Sequence, residues 1–182
     1  MPELILPTTR LHAAFLDCRD DWGPGLHEDG FGLGADDDVD SPDGFAAWVH
    51  QRTRLTHRAG TPCPPEMHGS PRWIVEDGRV LGGIALRHYF HDRFGHIGYG
   101  VRPSARRRGL ASWALGQMLA EARAALGLDR VLIPCLAHNI ASARTIERNG
   151  GVLEGIRHNG HNLVRRYWIN LDHAPDSGLS HR

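Results

Sequence analysis

Apolar residues recur along this chain in two periods, and the change from one to the other marks out its elements. From Leu11 onward Leu11, Ala14, Phe15, Cys18 and Trp22 fall at helical spacing, with Thr8 or Thr9 placed to cap the helix and Gly23 to end it. A second helical run puts Phe45, Trp48, Val49, Arg52 and Leu55 on one side, with Ser41 as N-cap, Pro42 at the first helical position and Gly60 as the stop. The period then shortens to two. "RWIVEDGRVLGGIALRH" reads as a pair of strands joined at Asp77-Gly78, a hairpin signal, and "GHIGYGV" as another strand after a short turn around His91 to Phe94. Helical spacing returns in "GLASWALGQMLAEARAALG"; "DRVLIPCL" is a buried strand, "SARTIERNGG" a helix closed by Asn149-Gly150, and "HNLVRRYWINL" a final strand.

The order is therefore two helices, an antiparallel meander of strands, then alternating strand and helix to a last strand, with no internal repeat. One domain over residues 1–172 accommodates it, followed by a disordered tail at 173–182. Between Trp22 and Asp43 runs "GPGLHEDGFGLGADDDVDSPD", whose glycines and aspartates predict a loop, either a binding loop or a mobile segment. "TPCPPEMHGSP" is a second, proline-punctuated connector.

Composition narrows the chemistry. Acidic and basic residues balance at 21 each, so the chain lacks the overall field of a nucleic-acid binder, and any charge argument must be local. There is no lysine, which excludes Schiff-base and phosphate-loop lysine chemistry. Cys18, Cys63 and Cys135 have no CxxC spacing and predict reduced thiols rather than a disulfide framework or a metal site. The N-terminus lacks a basic, long-apolar leader pattern and no segment reads as a membrane span, so the expectation is a cytoplasmic protein with neither a nucleic-acid nor a membrane partner.

In "HIGYGV" His96, Gly98 and Gly100 share one face, and Ile97, Tyr99 and Val101 the other. Glycines leave a face of bare backbone, which suits a packed helix, a bulge or a close ligand. The chain then turns through Pro103-Ser104 into a helix near Gly109, with Arg106, Arg107 and Arg108 in the turn. Unpaired amides at a helix start bind anions. The same turn also reads as solvated basic surface.

Strand, then Arg106-x-x-Gly109-x-Ala111, then helix, resembles the acetyl-coenzyme A loop of the GNAT acetyltransferases, whose motif is Q/R-x-x-G-x-G/A. The order of elements matches that family over essentially the whole chain, and "NIASARTIERNGG" resembles its asparagine-led segment before the last helix. With "GHIGYGVRP" and "RRYWINL", the chain is similar to a bacterial subgroup of predicted acetyltransferases. The resemblance implies an α/β fold (mixed α+β) with a central, mostly antiparallel sheet, splayed between its fourth and fifth strands and flanked by helices. It implies acetyl-CoA as cosubstrate, no metal, and direct attack of a neutral amine on the thioester, with a backbone amide of the fourth strand polarising the carbonyl. Homodimers are common in the family, and the strand with Tyr167 and Trp168 offers a surface for one.

By the same resemblance the main chain of Tyr99, Gly100 and Val101 pairs with the pantetheine, with Gly98 and Gly100 as clearance. The amides of Arg106, Arg107, Arg108, Gly109, Leu110 and Ala111 hold the pyrophosphate. Asn139 matches the family asparagine that contacts pantetheine or orders water, and Ser142 either touches the coenzyme or caps the helix. Where many relatives carry a tyrosine acid, this chain has Ile146, leaving Tyr99 and Tyr167 as substitutes. Amines with pKa near ~10 must lose a proton, and the candidate bases are His96 and Glu66, with His88 and His91 behind them.

The loop before the second helix carries Glu28, Asp29, Asp36, Asp37, Asp38, Asp40 and Asp43, with no arginine between Arg19 and Arg52. It reads either as a solvated acidic loop or as a rim that draws in a small cationic amine. Protein N-terminal acetylation is the rival within enzymes. A coenzyme A-binding sensor without catalysis, which the loss of the tyrosine at 146 permits, is the rival outside them.

Overall fold

The computed structural model describes residues 1–25, 27–54, 69–160 and 162–171. The chain runs β1 (Glu3–Ile5), a 3-10 turn, α1 (His12–Asp21), α2 (Pro42–Arg54), β2 (Gly69–Glu76), β3 (Arg79–Arg87), β4 (Ile97–Val101), α3 (Leu110–Leu126), β5 (Arg130–Leu136), α4 (Ile140–Arg148), β6 (Val152–His158) and β7 (Leu163–Asn170). Two strands escaped the pattern reading. β1 is only three residues long, too short to show a period, and pairs with β2 at Leu4↔Ile74. β6 is exposed along nearly its whole length, so burial imposes no alternation on its sequence. The expected helix end at Gly60, the connector with Glu66, and the tail at 173–182 lie outside the described residues.

Local chemistry starts and stops the helices as expected. Ser41 Oγ accepts the Gly44 amide at 3.0 Å with Pro42 behind it, which opens α2. Thr8, not the helix itself, caps the preceding 3-10 turn, and α1 then packs Phe15 and Cys18 inward. α4 is capped by Asn139, whose Oδ1 accepts the Ser142 amide at 3.0 Å, so the capping role foreseen for Ser142 belongs to Asn139.

The strands form two sheets, ordered β1-β2-β3-β4 and β5-β7-β6, and every ladder among the described residues is antiparallel. The β4–α3–β5 crossover brings the edges of the two sheets together at one place. There the His96 amide donates to the Leu132 carbonyl at 2.8 Å, and the Leu132 amide donates to His96 Nδ1 at 2.9 Å. Beyond it the strands part. One core, built on Ile84, Leu115, Met118, Ile133, Ile146 and Tyr167, lies between the sheets and α3 and α4. The other, an aromatic cluster of Phe15, Phe31, Phe45, Trp48 and Trp73, lies under α1 and α2 on the opposite face of the first sheet. Among the described residues no helix is long and apolar enough to cross a membrane.

The loop between α1 and α2 is laid onto the sheet rather than left free. Phe31 and Val39 enter the aromatic core, and buried Asp29 turns back to accept the Phe31 amide at 2.8 Å. The loop crosses the sheet backbone on backbone. A Cβ at Gly100 would lie 2.4 Å from the Glu28 carbonyl oxygen, and one at Gly83 2.8 Å from the Gly30 carbonyl carbon. Clearance at Gly100 thus serves this loop, a packing use rather than the ligand clearance the resemblance implied.

One ion cluster ties α1 to the turn after β4. Arg102, buried beneath it, donates from Nε to Asp21 Oδ2 at 2.8 Å and from Nη1 to Asp17 Oδ2 at 2.6 Å. Ser104 donates to Asp21 Oδ2 from both its amide at 3.0 Å and its hydroxyl at 2.6 Å. The hydrogen bonds from Arg102 and Ser104 hold the Asp21 carboxyl down at about 2. An unfolded aspartate titrates near ~3.9, so this contribution is complete above about pH 4 and disappears as pH falls through about 2. Asp21→Asn should lower unfolding stability at neutral pH by on the order of 1–2 kcal/mol, given the partial exposure of Asp21, and flatten the acid dependence in that window. Denaturant titrations from pH 7 to 2 measure both; an unchanged acid slope would refute the assignment.

Candidate active site

Where β4 and β5 diverge, a cleft of about 1300 Å³ opens, walled by two strand edges, the first turns of α3 and α4, and the crossing loop. β4 spends its hydrogen bonds toward β3, from Gly82↔Val101 to Leu86↔Ile97, and turns its other edge to the cleft. At the Val101 end lies the start of α3. Gly109 occupies its N-cap position at φ +78° with no side-chain cap, so the first amides of a seventeen-residue helix are offered to the cleft. Helix N-termini favour anions, and the arginines around this one add to the field.

The three arginines have three different placements. Arg106 Nε donates to the Val101 carbonyl at 3.0 Å and its guanidinium lies 4.8 Å from the Trp22 ring centroid, bracing the turn. Arg107 takes a positive φ of 62° and lines the cleft. Arg108 is drawn to the far side by Glu76, so among the three its side chain stays out of the cleft wall. A Cβ at Gly109 would meet nothing within 4 Å, so the backbone conformation, not crowding, calls for glycine there. Leu110 is buried in the core and meets the cleft through its main chain, next to Ala111 and Ser112.

An uncapped helix start behind a glycine at positive φ, opening on a free strand edge where two sheets part, has the shape and field that suit an extended anionic ligand. Residues 36–152 match the family model described as the acetyltransferase (GNAT) domain. The chain belongs to the GNAT acetyltransferase family. Solved structures agree in fold. The microcin C7 self-immunity acetyltransferase MccE, solved with acetyl-CoA and AMP, is 13% identical with a TM-score of 0.67, over 93% of this chain and 92% of that one. A Salmonella typhimurium acetyltransferase that modifies the N-terminal serine of ribosomal protein L7/L12 is 17% identical with a TM-score of 0.70, over 94% and 95%. yncA from Salmonella typhimurium, solved with acetyl-CoA, is 17% identical with a TM-score of 0.61, over 97% and 98%. A search of curated proteins returns no match.

In this GNAT chain Tyr99 hangs from β4 into the cleft and bridges to α4, its hydroxyl 2.9 Å from Ser142 Oγ and 3.3 Å from the Ser142 carbonyl oxygen. Burial pushes its phenol up to about 12, so it stays protonated. Asn139 and Ser142 line the cleft at the start of α4. Ile146 is fully buried in the core and contributes nothing to the wall. Tyr167, the other substitute, is buried too and donates to Glu147 Oε1 at 2.9 Å, outside the cleft lining.

His96 is not placed as a base. Its Nδ1 is taken by the Leu132 amide, so the neutral ring carries its proton on Nε2, and burial lowers its pKa and keeps it neutral. It also lies outside the cleft lining. His88 Nε2 pairs with Ser70 Oγ at 2.8 Å, and His91 Nδ1 accepts the Arg93 and Phe94 amides at 3.2 and 3.3 Å. Glu66 lies outside the described residues. The acidic stretch divides: Glu28 and Asp29 line the cleft, while Asp38 accepts from Asp40 and Ser41, Asp37 from Gly34 and Trp48, and Asp40 pairs with Arg19, these three outside the cleft lining. Short polar side chains next to glycines close turns upon themselves. Among the described residues no three His, Cys, Asp or Glu side chains converge to hold a metal ion.

Several lining residues were missed from sequence. Arg144 and Arg148 line the cleft from α4, and their i,i+4 spacing was the available signal. Arg87, Arg93 and Phe94 line its other end, where only the fold brings them in. Gly109→Val should weaken coenzyme A binding at least about tenfold, since a left-handed conformation costs an ordinary residue about 1–2 kcal/mol and a β-branched one more. Arg107→Ala should cost about threefold and Arg108→Ala nothing measurable, because a solvent-screened contact is worth under ~1 kcal/mol and Arg108 is engaged elsewhere. Calorimetric titration with coenzyme A decides; tolerance at 109 beside complete loss in Arg107→Ala would contradict this account of the turn.

Proposed function

We propose that this GNAT protein transfers an acetyl group from acetyl-CoA to the primary amine of a small molecule by direct attack within a ternary complex. The observation that carries the reading is the parting of β4 from β5 beyond His96, which leaves a free strand edge running from the uncapped start of α3. The fold neighbours MccE and yncA were solved with acetyl-CoA, which supports the cosubstrate. When bound, acetyl-CoA supplies a thioester carbonyl and a thiolate leaving group.

The chain's own residues divide the work. The amides of Gly109, Leu110 and Ala111 hold phosphate, with Arg107, Arg144 and Arg148 adding charge from the surrounding wall. The main chain of Tyr99 to Val101 aligns the pantetheine along the β4 edge, and Asn139 and Ser142 flank it. Thiols ionise near ~8.5, well below a phenol raised to about 12, so Tyr99 donates a hydrogen bond to the leaving sulfur without giving up its proton. Glu28 and Asp29 are the cleft-lining carboxylates among the described residues. Asp29 is buried and spends its Oδ1 on the Phe31 amide, which leaves Glu28, whose charge reaches Tyr99 and Cys135, to receive the amine's proton, directly or through water.

A thiol-release assay with acetyl-CoA, screened over small amines and over peptides with free N-termini, tests the reaction. Turnover above the hydrolysis background supports it, whereas coenzyme binding with no turnover on any amine would leave only the sensor reading. Peptide turnover alone would favour N-terminal protein acetylation, the activity of the Salmonella typhimurium neighbour on L7/L12. Glu28→Gln should lower kcat/KM about a hundredfold at pH 7, with the loss shrinking as pH rises toward the amine's own pKa near ~10. Tyr99→Phe should lower kcat about tenfold with little change in the KM for acetyl-CoA, the size expected for one transition-state hydrogen bond. A pH-independent defect in the first, or a pure KM effect in the second, would remove that residue from the assignment.

A further inference from the structure

We propose that the acceptor amine carries an oxyanion, a carboxylate or a phosphate, and that Arg87 binds it at the end of the cleft remote from α3, with Arg93 at the mouth. The proposal rests on the acetyltransferase reading of the cleft. Arg87 ends β3, its amide donating to the His96 carbonyl at 2.7 Å, and its guanidinium lies over Gly98 of β4, 3.7 Å from where a Cβ there would stand. Nη1 donates to the Phe94 carbonyl at 3.1 Å, and the guanidinium sits 5.7 Å from the Phe94 ring centroid. Arg93 stands 5.0 Å from the same centroid. The loop that presents them is fixed from within, by His91 Nδ1 on the Arg93 and Phe94 amides and by the Gly95 amide on the His91 carbonyl at 2.7 Å.

Among the described residues neither Arg87 nor Arg93 makes an ion pair. The two buried arginines, Arg102 and Arg166, each hold two carboxylates, whereas half-buried Arg87 holds none. Burial lowers the pKa of Arg87, so its charge is desolvated without a counter-ion to offset the cost. Arginine remains charged regardless, and its planar fork, with one N–H engaged, keeps donors in the geometry that takes a carboxylate or phosphate bidentately. The coenzyme's pyrophosphate does not supply that anion. It belongs at the α3 start, beyond the Val101 end of β4, while Arg87 pairs at the His96 end, and the five residues between span roughly 13–17 Å. An amine bearing an oxyanion, entering from the Phe94 side, places its charge on Arg87.

The test is calorimetric titration of coenzyme A-saturated protein with matched probes: N-acetylglycine against N-acetylglycinamide for the carboxylate, and O-phosphoethanolamine against ethanolamine for the phosphate. In at least one pair the anionic member should bind about tenfold tighter or more, and the pair that discriminates names the oxyanion. Arg87→Met should abolish that preference without lowering the thermal midpoint, and Arg87→Lys should keep part of it. If neither pair discriminates, or if Arg87→Met weakens both members of a pair alike or destabilises the protein, Arg87 is only a strut for Phe94 and the proposal fails. Thiol release separates this from the reaction itself. Anion preference without turnover on any amine sinks the acetyltransferase reading alone, and equal turnover of neutral and anionic amines sinks the oxyanion alone.

Discussion

The imidazole of His96 stands where the edges of the two sheets meet. Its own amide makes one strand-to-strand bond to the Leu132 carbonyl, and its ring then takes the Leu132 amide that a further ladder residue would have taken. The ring nitrogen gives the Leu132 amide its acceptor, and Pro134, two residues on in β5, has no N–H with which to continue the pairing of β4 with β5. Every feature of the cleft follows from that end. β4 and β5 become facing edges, the crossover helix α3 starts at the top of one of them, and Tyr99 has room to reach across to Ser142.

An open edge needs rigid surroundings, and two constraints provide them. The loop after α1 is pressed onto the sheet main chain to main chain at Gly30, Gly83 and Gly100, and fixed by Phe31 in the aromatic core. The Arg102 cluster with Asp17, Asp21 and Ser104 ties α1 to the turn that leads into α3. These connections set Glu28 and the α3 start in the wall of one cleft. They also divide the arginines by task. Arg102 and Arg166 are satisfied within the protein, Arg106 and Arg108 brace a turn, and Arg107, Arg144, Arg148 and Arg87 turn their charge to the cleft.

Much of this was written in local pattern. The period change located the helices and most of the strands, Ser41-Pro42 and Asn149-Gly150 marked helix ends, and Arg106-x-x-Gly109-x-Ala111 between strand and helix pointed to the uncapped turn at one end of the cleft. These signals are legible because each depends on a few neighbouring residues: a cap, a turn, a repeat of burial. β6 was illegible for the complementary reason, since a strand exposed on both sides needs no alternation. The two readings of the acidic loop could not be separated because charge was visible and geometry was not; Asp37, Asp38 and Asp40 close turns and pair with Arg19 and Arg52, while Glu28 and Asp29 line the cleft.

What the sequence by itself determined, then, was the helices, most of the strands and the family, together with the glycine turn that opens α3, all consequences of short-range periodicity and backbone conformation. The tertiary structure alone decided the fate of individual side chains. His96 looked like a base and is held as a strut because Leu132, far along the chain, needs its nitrogen. Gly100 looked like ligand clearance and is covered by Glu28 and Asp29. Arg87 looked like the end of an ordinary strand and, among the described residues, faces the cleft without a counter-ion, because partners and burial depend on what the fold brings near, and spacing along the chain carries no record of that.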